Sequence, residues 1–263
     1  MCSIASGSSG NCIYAGSDTA HILIDDGISG KRTVEGLNLL GIKPEELDAI
    51  FVTHEHSDHI GGLGILSKRY GIPIYATPGT IKGMKEAKST SCIDASLYNV
   101  IRADETVSIK DLVIHPMKVS HDANEPVAYR VYSEGKKLAV ITDLGTYDDY
   151  TVGCLQGMDV VLCEANHDVR MLEVGPYPYQ LKRRILGDRG HLSNDNSGRL
   201  ISSLLNDNIK HIYLGHLSKE NNIPELAFET VRLEIEASQT PYHGNDFPIT
   251  VARRDRPLDP IEF

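Results

Sequence analysis

Basic residues are scarce: 26 Lys and Arg stand against 36 Asp and Glu, a net charge of −10 over 263 residues. That balance argues against a long footprint on nucleic acid, which needs a basic face. A short contact at a metal site or a local basic patch stays open. No apolar run approaches the roughly 18–20 residues of a membrane helix, so no span is expected. Residues 1–7 lack the charged-then-apolar pattern of a secretory signal. The five cysteines (Cys2, Cys12, Cys92, Cys154, Cys163) are odd in number and contain no C-x-x-C pair. They read as reduced, mostly buried thiols of a cytoplasmic protein. There is no linker rich in Gly, Ser or Pro, no low-complexity tract and no fixed repeat. What remains is an ordinary globular composition, 41% hydrophobic and 24% charged, with no break to divide it.

Short β-branched runs alternate with amphipathic stretches. Strands are expected over 11–16, 20–25, 49–53, 112–120, 127–133, 138–143, 159–165, 211–215 and 248–252. Helices are expected over 30–40, 59–70, 79–87, 193–205 and 224–237. Residues 133–136 read as a hairpin turn, and the Ser/Gly cluster at 6–10 as a tight turn between two strands. The alternation predicts one α/β domain over residues 1–263, with helices on both faces of the strands.

The informative segment runs from Ile50 to Gly62. An apolar strand ends, and His54, His56, Asp58 and His59 follow within six residues. Residues two apart in an extended segment point to one side, so His54 and His56 converge on one ion. Asp58 and His59 fall where the chain turns into a helix and point elsewhere, toward a second ion. Imidazole and carboxylate suit zinc, manganese or iron. Three more such groups end apolar runs: His121, Asp143 and His216. Ligands gather beyond the carboxyl ends of strands in α/β proteins. Any one of these three alone would read as a cap; their shared placement suggests a site.

These residues resemble the metal motif of the metallo-β-lactamase superfamily. The similarity is closer still to its YycJ/WalJ branch. It is carried by residues 5–12 (ASGSSGNC), 164–169 (EANHDV), Tyr177-Pro178, 182–186 (KRRIL) and 190–194 (GHLSN). The resemblance implies a four-layer αββα sandwich with a dinuclear centre. It implies that His54, His56 and His121 bind one ion, that Asp58, His59 and His216 bind the other, and that Asp143 bridges. Asp25 matches a supporting carboxylate behind the metal loop. Asp26 departs from the pattern, since the family more often carries Ala there. The implied cofactors are two divalent ions, manganese or zinc, with iron acceptable. The implied activity is 5′-to-3′ exonucleolytic cleavage of DNA, with mismatch-repair proteins as the implied setting.

Two ions suit phosphodiester hydrolysis, in which a bridging hydroxide attacks phosphorus and both oxygens are held in line. Asp58 is the expected proton acceptor. His191 and His167 are the candidates for protonating the leaving oxygen, each equally readable as structural. Ser193 heads a helix whose N-terminus offers a phosphate site or plain capping. Over residues 180–190, Lys182, Arg183, Arg184 and Arg189 stand against Asp188, a local balance of 4 − 1 = +3. Lys182, Arg183 and Arg184 are therefore expected to grip the backbone of a nucleic acid near the site; that it is the 5′ end of DNA is what the resemblance implies. Tyr177 and Tyr179 are expected to pack, with base stacking as the alternative.

The scaffold also serves other chemistries. The rivals are an RNA-processing phosphodiesterase and a thioester or lactone hydrolase. A non-catalytic metal- or nucleic-acid-binding module is disfavoured, because all seven ligand positions are filled. Only 72 residues (216 − 143 − 1) separate Asp143 from His216, too few for the inserted domain of the β-CASP nucleases.

Overall fold

The computed structural model describes residues 1–263. The chain divides into two compact units. The first comprises Met1–Lys118, Ala123–Gly135 and Arg253–Glu262. Its strands are β1 (Cys2–Ala5), β2 (Cys12–Gly16), β3 (His21–Ile24), β4 (Ala49–Phe51), β5 (Ile74–Ala76), β6 (Tyr98–Val100), β7 (Val107–Ile109), β8 (Leu112–Lys118) and β9 (Val127–Ser133). Its helices are α1 (Gly30–Leu39), α2 (Ser57–Ile60), α3 (Leu63–Tyr70) and α4 (Pro78–Glu86). The second unit comprises Val119–Asp122, Lys136–Ala252 and Phe263. It holds strands β10 (Lys136–Ile141), β11 (Val160–Glu164), β12 (His211–Gly215) and β13 (Ile249–Val251). Its helices are α5 (Asp149–Leu155), α6 (Val169–Val174), α7 (Tyr179–Leu186), α8 (Asn194–Leu204) and α9 (Pro224–Ala237). The strands lie in two mixed sheets, ordered β1-β2-β3-β4-β5-β6 and β13-β12-β11-β10-β9-β8-β7. No helix is long and apolar enough to cross a membrane.

In the first unit, the Ser/Gly cluster turns β1 back on β2 as an antiparallel pair. Asn11 closes that turn: its side-chain oxygen accepts from Gly7 N at 3.0 Å. From β3 to β6 the strands run parallel, each connection carrying a helix. Ser29 caps α1, and Thr77 caps α4 with Pro78 in its first turn. Ile4, Leu23, Leu37, Ile50 and Leu63 form the buried centre of this unit. Strand β9 lies against β4: Tyr129 Oη donates to Val52 O at 2.7 Å, and its ring meets Phe51 edge-on at 5.4 Å. The chain's last residues add main-chain bonds to β1, from Leu258 N to Ser3 O and from Ile261 N to Met1 O. That covers an otherwise open sheet edge.

In the second unit, β10 to β13 are parallel and in register. Parallel strands are covered on both faces, and β11 is accordingly buried at every position. Helices α6 and α7 each bury a single residue, Leu172 and Ile185, whereas α8 buries seven.

The strands over 127–133 and 211–215 and the helix over 224–237 have the expected bounds. The helix expected over 59–70 is instead α2 and α3, broken at Gly61-Gly62. There Gly62 N donates to Asp26 O at 2.8 Å, and a Cβ on Gly62 would lie 2.0 Å from Ile28 O. Backbone approaches too closely for the helix to continue. Strands β5, β6 and β7 were not expected; with three residues each they are too short to show alternation. Helices α5 and α6, of seven and six residues, escape for the same reason. The cysteines form no disulfide; Cys2, Cys12 and Cys163 are buried, while Cys92 is exposed.

Candidate metal centre

Four of the expected ligands stand in the first unit, His54 and His56 on the loop that leaves β4, Asp58 and His59 in α2. A buried carboxylate fixes them from behind. Asp25 Oδ1 accepts from Thr53 N at 2.8 Å, and Oδ2 accepts from Thr53 Oγ1 at 2.8 Å. Oδ2 also lies 2.7 Å from His59 Nδ1. Since Thr53 spends its proton on Asp25, the 3.0 Å contact of Thr53 Oγ1 with His54 Nδ1 has the imidazole as donor. Both rings are thereby held with Nδ1 protonated and Nε2 as the lone-pair nitrogen, the tautomer a metal ligand needs. His54 Nε2 lies 3.0 Å from His56 Nδ1, so those two nitrogens converge as the spacing predicted. Asp58 Oδ2 lies 3.5 Å from His59 Nε2. Asn11, which the sequence reading did not single out, braces this loop. Its backbone N donates to Asp58 O at 2.8 Å, and its side-chain amide lies 3.2 Å from His59 Nε2. The loop also needs Gly27, where a Cβ would lie 1.7 Å from Asp58 O.

The other three ligands stand in the second unit. His121 Nδ1 donates to Gly190 O at 3.0 Å, and His216 Nδ1 donates to Glu164 Oε1 at 2.8 Å. These rings, too, present Nε2 as the ligating atom. Burial lowers the His121 pKa, which keeps the imidazole neutral, as ligation requires. Asp143 Oδ1 lies 3.6 Å from His121 Nε2, 3.6 Å from His216 Nδ1 and 3.5 Å from His191 Nδ1. One ligand atom from each of Asp143, Glu164, His191 and His216 falls within 4.8 Å of every other. Asp25, Asp143 and His216 share a backbone feature: φ values of 62°, 58° and 54°. Each follows the end of a strand, β3, β10 or β12, in the left-handed region that Asp and His enter more readily than most residues.

Glu164 is the functional residue that sequence reasoning missed. It is fully buried at the end of β11. Its Oε1 accepts from His191 Nδ1 at 2.7 Å as well as from His216, and its Oε2 accepts from Leu144 N and Leu192 N. Burial would raise this carboxyl. The charge of His191 and the hydrogen bonds from His191 and His216 overturn that and hold it below the usual carboxylate range. In return Glu164 raises His191 against the desolvation that opposes it. The missed signal was the one that found Asp143 and His216, a charged residue closing a buried apolar run.

His167 differs from His191. Burial pushes its pKa down to about 4, its Nδ1 lies 3.3 Å from Asn166 Oδ1, and its Nε2 is buried without a hydrogen-bond partner. Ser193 Oγ accepts from Asn196 N at 3.2 Å, so the hydroxyl caps α8. The basic segment is less uniform than its charge count suggests. Lys182 Nζ donates to Glu173 O at 2.7 Å. Arg184 forms a two-pronged ion pair with Asp122, and Arg189 donates through Nε and Nη2 to His121 O at 3.1 and 3.0 Å. Arg184 and Arg189 thus hold the segment beside His121, while Arg183 is exposed. The expectation that the tyrosines pack is corrected for Tyr179, which is 74% exposed. It occupies the first turn of α7, whose buried contact comes from Ile185 instead.

Residues 21–216 match the family model described as beta-lactamase superfamily domain. The chain is 43% identical to the exodeoxyribonuclease WalJ of Streptococcus pneumoniae serotype 2, over 87% of this chain and 85% of that protein. It is 39% identical to the exodeoxyribonuclease YycJ of Bacillus anthracis, over 89% of this chain and 88% of that protein. In fold it is similar to YhfI of Bacillus subtilis, a metallo-beta-lactamase fold protein. That match has a TM-score of 0.69 at 17% identity, with 98% of this chain and 97% of that chain covered.

Proposed function

The chain belongs to the metallo-β-lactamase superfamily, and on that premise we propose that it is a metal-dependent exodeoxyribonuclease acting from the 5′ end. The observation that carries the proposal is the shared contact of four histidines through Nδ1, from which their tautomer follows. His54, His59, His121 and His216 are each held through Nδ1 so that Nε2 is the ligating nitrogen. Together with His56, Asp58 and Asp143, this donor set suits a pair of divalent ions, zinc, manganese or iron. In the proposal His54, His56 and His121 hold one ion, Asp58, His59 and His216 hold the other, and Asp143 serves both. A single domain over residues 1–263 is part of the same proposal and rests on the family resemblance. The 5′ polarity and a role in mismatch repair rest on the family resemblance.

Such ions supply Lewis acidity and lower the pKa of a bound water. The chain supplies the rest. Asp58 accepts a proton from the attacking water. His191 is favoured by Glu164 in its charged form, with Nδ1–H on the carboxylate and Nε2–H left to protonate the leaving oxygen. The buried, neutral His167 is poorly suited to that task, and we assign it to packing beside Asn166. Lys182 and Arg183 are proposed to meet the DNA backbone, with Arg184 and Ser193 acting through the positions they fix.

The test is hydrolysis of 5′-phosphorylated duplex DNA, single-stranded DNA and RNA by metal-stripped protein given back manganese or zinc, beside Asp58→Ala. Mononucleotides released from the 5′ end of DNA, dependent on metal and lost in the variant, are expected. Cleavage of RNA alone, or of a thioester but no nucleic acid, would overturn the reading.

A further inference from the structure

Helix α7 is an unusual surface. Its one buried residue is Ile185, and two of its side chains tie it to neighbouring segments, Lys182 on Glu173 O and Arg184 on Asp122. What it turns outward is apolar and basic at once. Tyr179 is 74% exposed, and Arg183 is exposed one turn after it; Val174, at the end of α6, is 85% exposed. Residues four apart share a helix face, so Tyr179 and Arg183 project from the same side of α7. Pro176 and Pro178 flank Tyr177 and stiffen the approach to the helix. The exposed apolar face of the ring is surface that a stacked partner would remove from water.

We propose that Tyr179 and Arg183 form a stacking platform for an unpaired DNA base, with Arg183 on the adjoining phosphate. This rests on the exodeoxyribonuclease reading. Charge complementarity selects the occupant. The chain carries −10 overall, yet this helix is locally positive, which suits a polyanion. The ring selects an unpaired strand, because a duplex keeps its base faces to itself. Arg184, five residues along from Tyr179, is paired with Asp122, the neighbour of His121. Five residues of helix rise about 7.5 Å, close to two stacked nucleotides at about 3.4 Å each. The platform is therefore placed at the third nucleotide, two stacked steps from the end under attack. Since every base has a face, it reads no sequence.

The experiment compares wild type, Tyr179→Ala, Tyr179→Phe and Arg183→Ala. Binding of a 5′-phosphorylated 12-nucleotide oligothymidine is followed by anisotropy in EDTA. Cleavage of the same strand and of a 5′-phosphorylated dinucleotide is followed with metal restored. Tyr179→Ala is expected to weaken 12-mer binding roughly ten-fold or more. It should raise KM for the 12-mer well beyond any change for the dinucleotide, which is too short to reach. Tyr179→Phe keeps the ring and should bind like wild type, while Arg183→Ala should flatten the salt dependence. If wild type binds and cleaves the 12-mer and Tyr179→Ala does both equally well, the platform is overturned and the nuclease reading stands. If wild type neither binds nor cleaves any strand, both fall together.

Discussion

Asp26 shows what a single misplaced charge does in this fold. It is fully buried beside Asp25; Thr33 Oγ1 donates to its Oδ1 at 2.5 Å, and its Oδ2 has no hydrogen-bond partner. Burial raises its pKa from 3.8 to about 7, and the neighbouring Asp25 adds to that. The folded state thus prefers the protonated form. Its stabilisation is full below the ordinary value and is lost as pH rises through about 7. Asp26→Asn in EDTA is accordingly expected to melt above wild type at pH 8, by as much as about 4 kcal/mol, with the gap closing toward pH 4. A difference independent of pH, read by calorimetry, would contradict this. The ligand positions themselves were legible as His and Asp residues closing apolar strands. Their supports were not: the carbonyl of Gly190 that fixes His121 lies 69 positions away in sequence, and no local pattern announces it. Glu164 hid because a lone acid after a buried run also reads as a cap.

At the level of elements, function follows from what each helix is tied to. Helix α8 begins at Ser193, whose hydroxyl accepts from Asn196 N. Removing it should cost about 1 kcal/mol. Ser193→Ala should therefore lower the thermal midpoint, and Ser193→Asp should restore it, as a cap would. If Ser193→Asp melts no higher than Ser193→Ala, the hydroxyl is not acting as a cap. Helix α7 is the opposite case, tied down by cations and presenting an aromatic. Long periodic helices such as α8 and α9 were legible because an apolar stripe repeats over several turns. Short ones such as α5 and α6 offer too few turns for a stripe, and three-residue strands too few alternations. Packing against their neighbours sets them.

For the whole molecule the question is how an acidic chain handles a polyanion. Few cations are available to it, and two of those in the basic segment are spent on Asp122 and the His121 carbonyl. If Lys182, Arg183 and one further cation meet phosphates, a single strand should show a slope of log K on log salt near about −2. A slope steeper than about −5 would mean an extended basic interface elsewhere. The alternating α/β layout was legible from the sequence because parallel strands demand continuous apolar runs. The division into two compact units was not, since composition does not change where they part. The left-handed residues at the ends of β3, β10 and β12 carry a last consequence. Asp25, Asp143 and His216 each hold a backbone conformation costing about 1–3 kcal/mol, and their side chains are short, with few rotors left to settle. Within each unit, the ordering that capturing an ion would otherwise demand is completed when the chain folds, so each half of the donor set is cast in advance rather than gathered from loose arms.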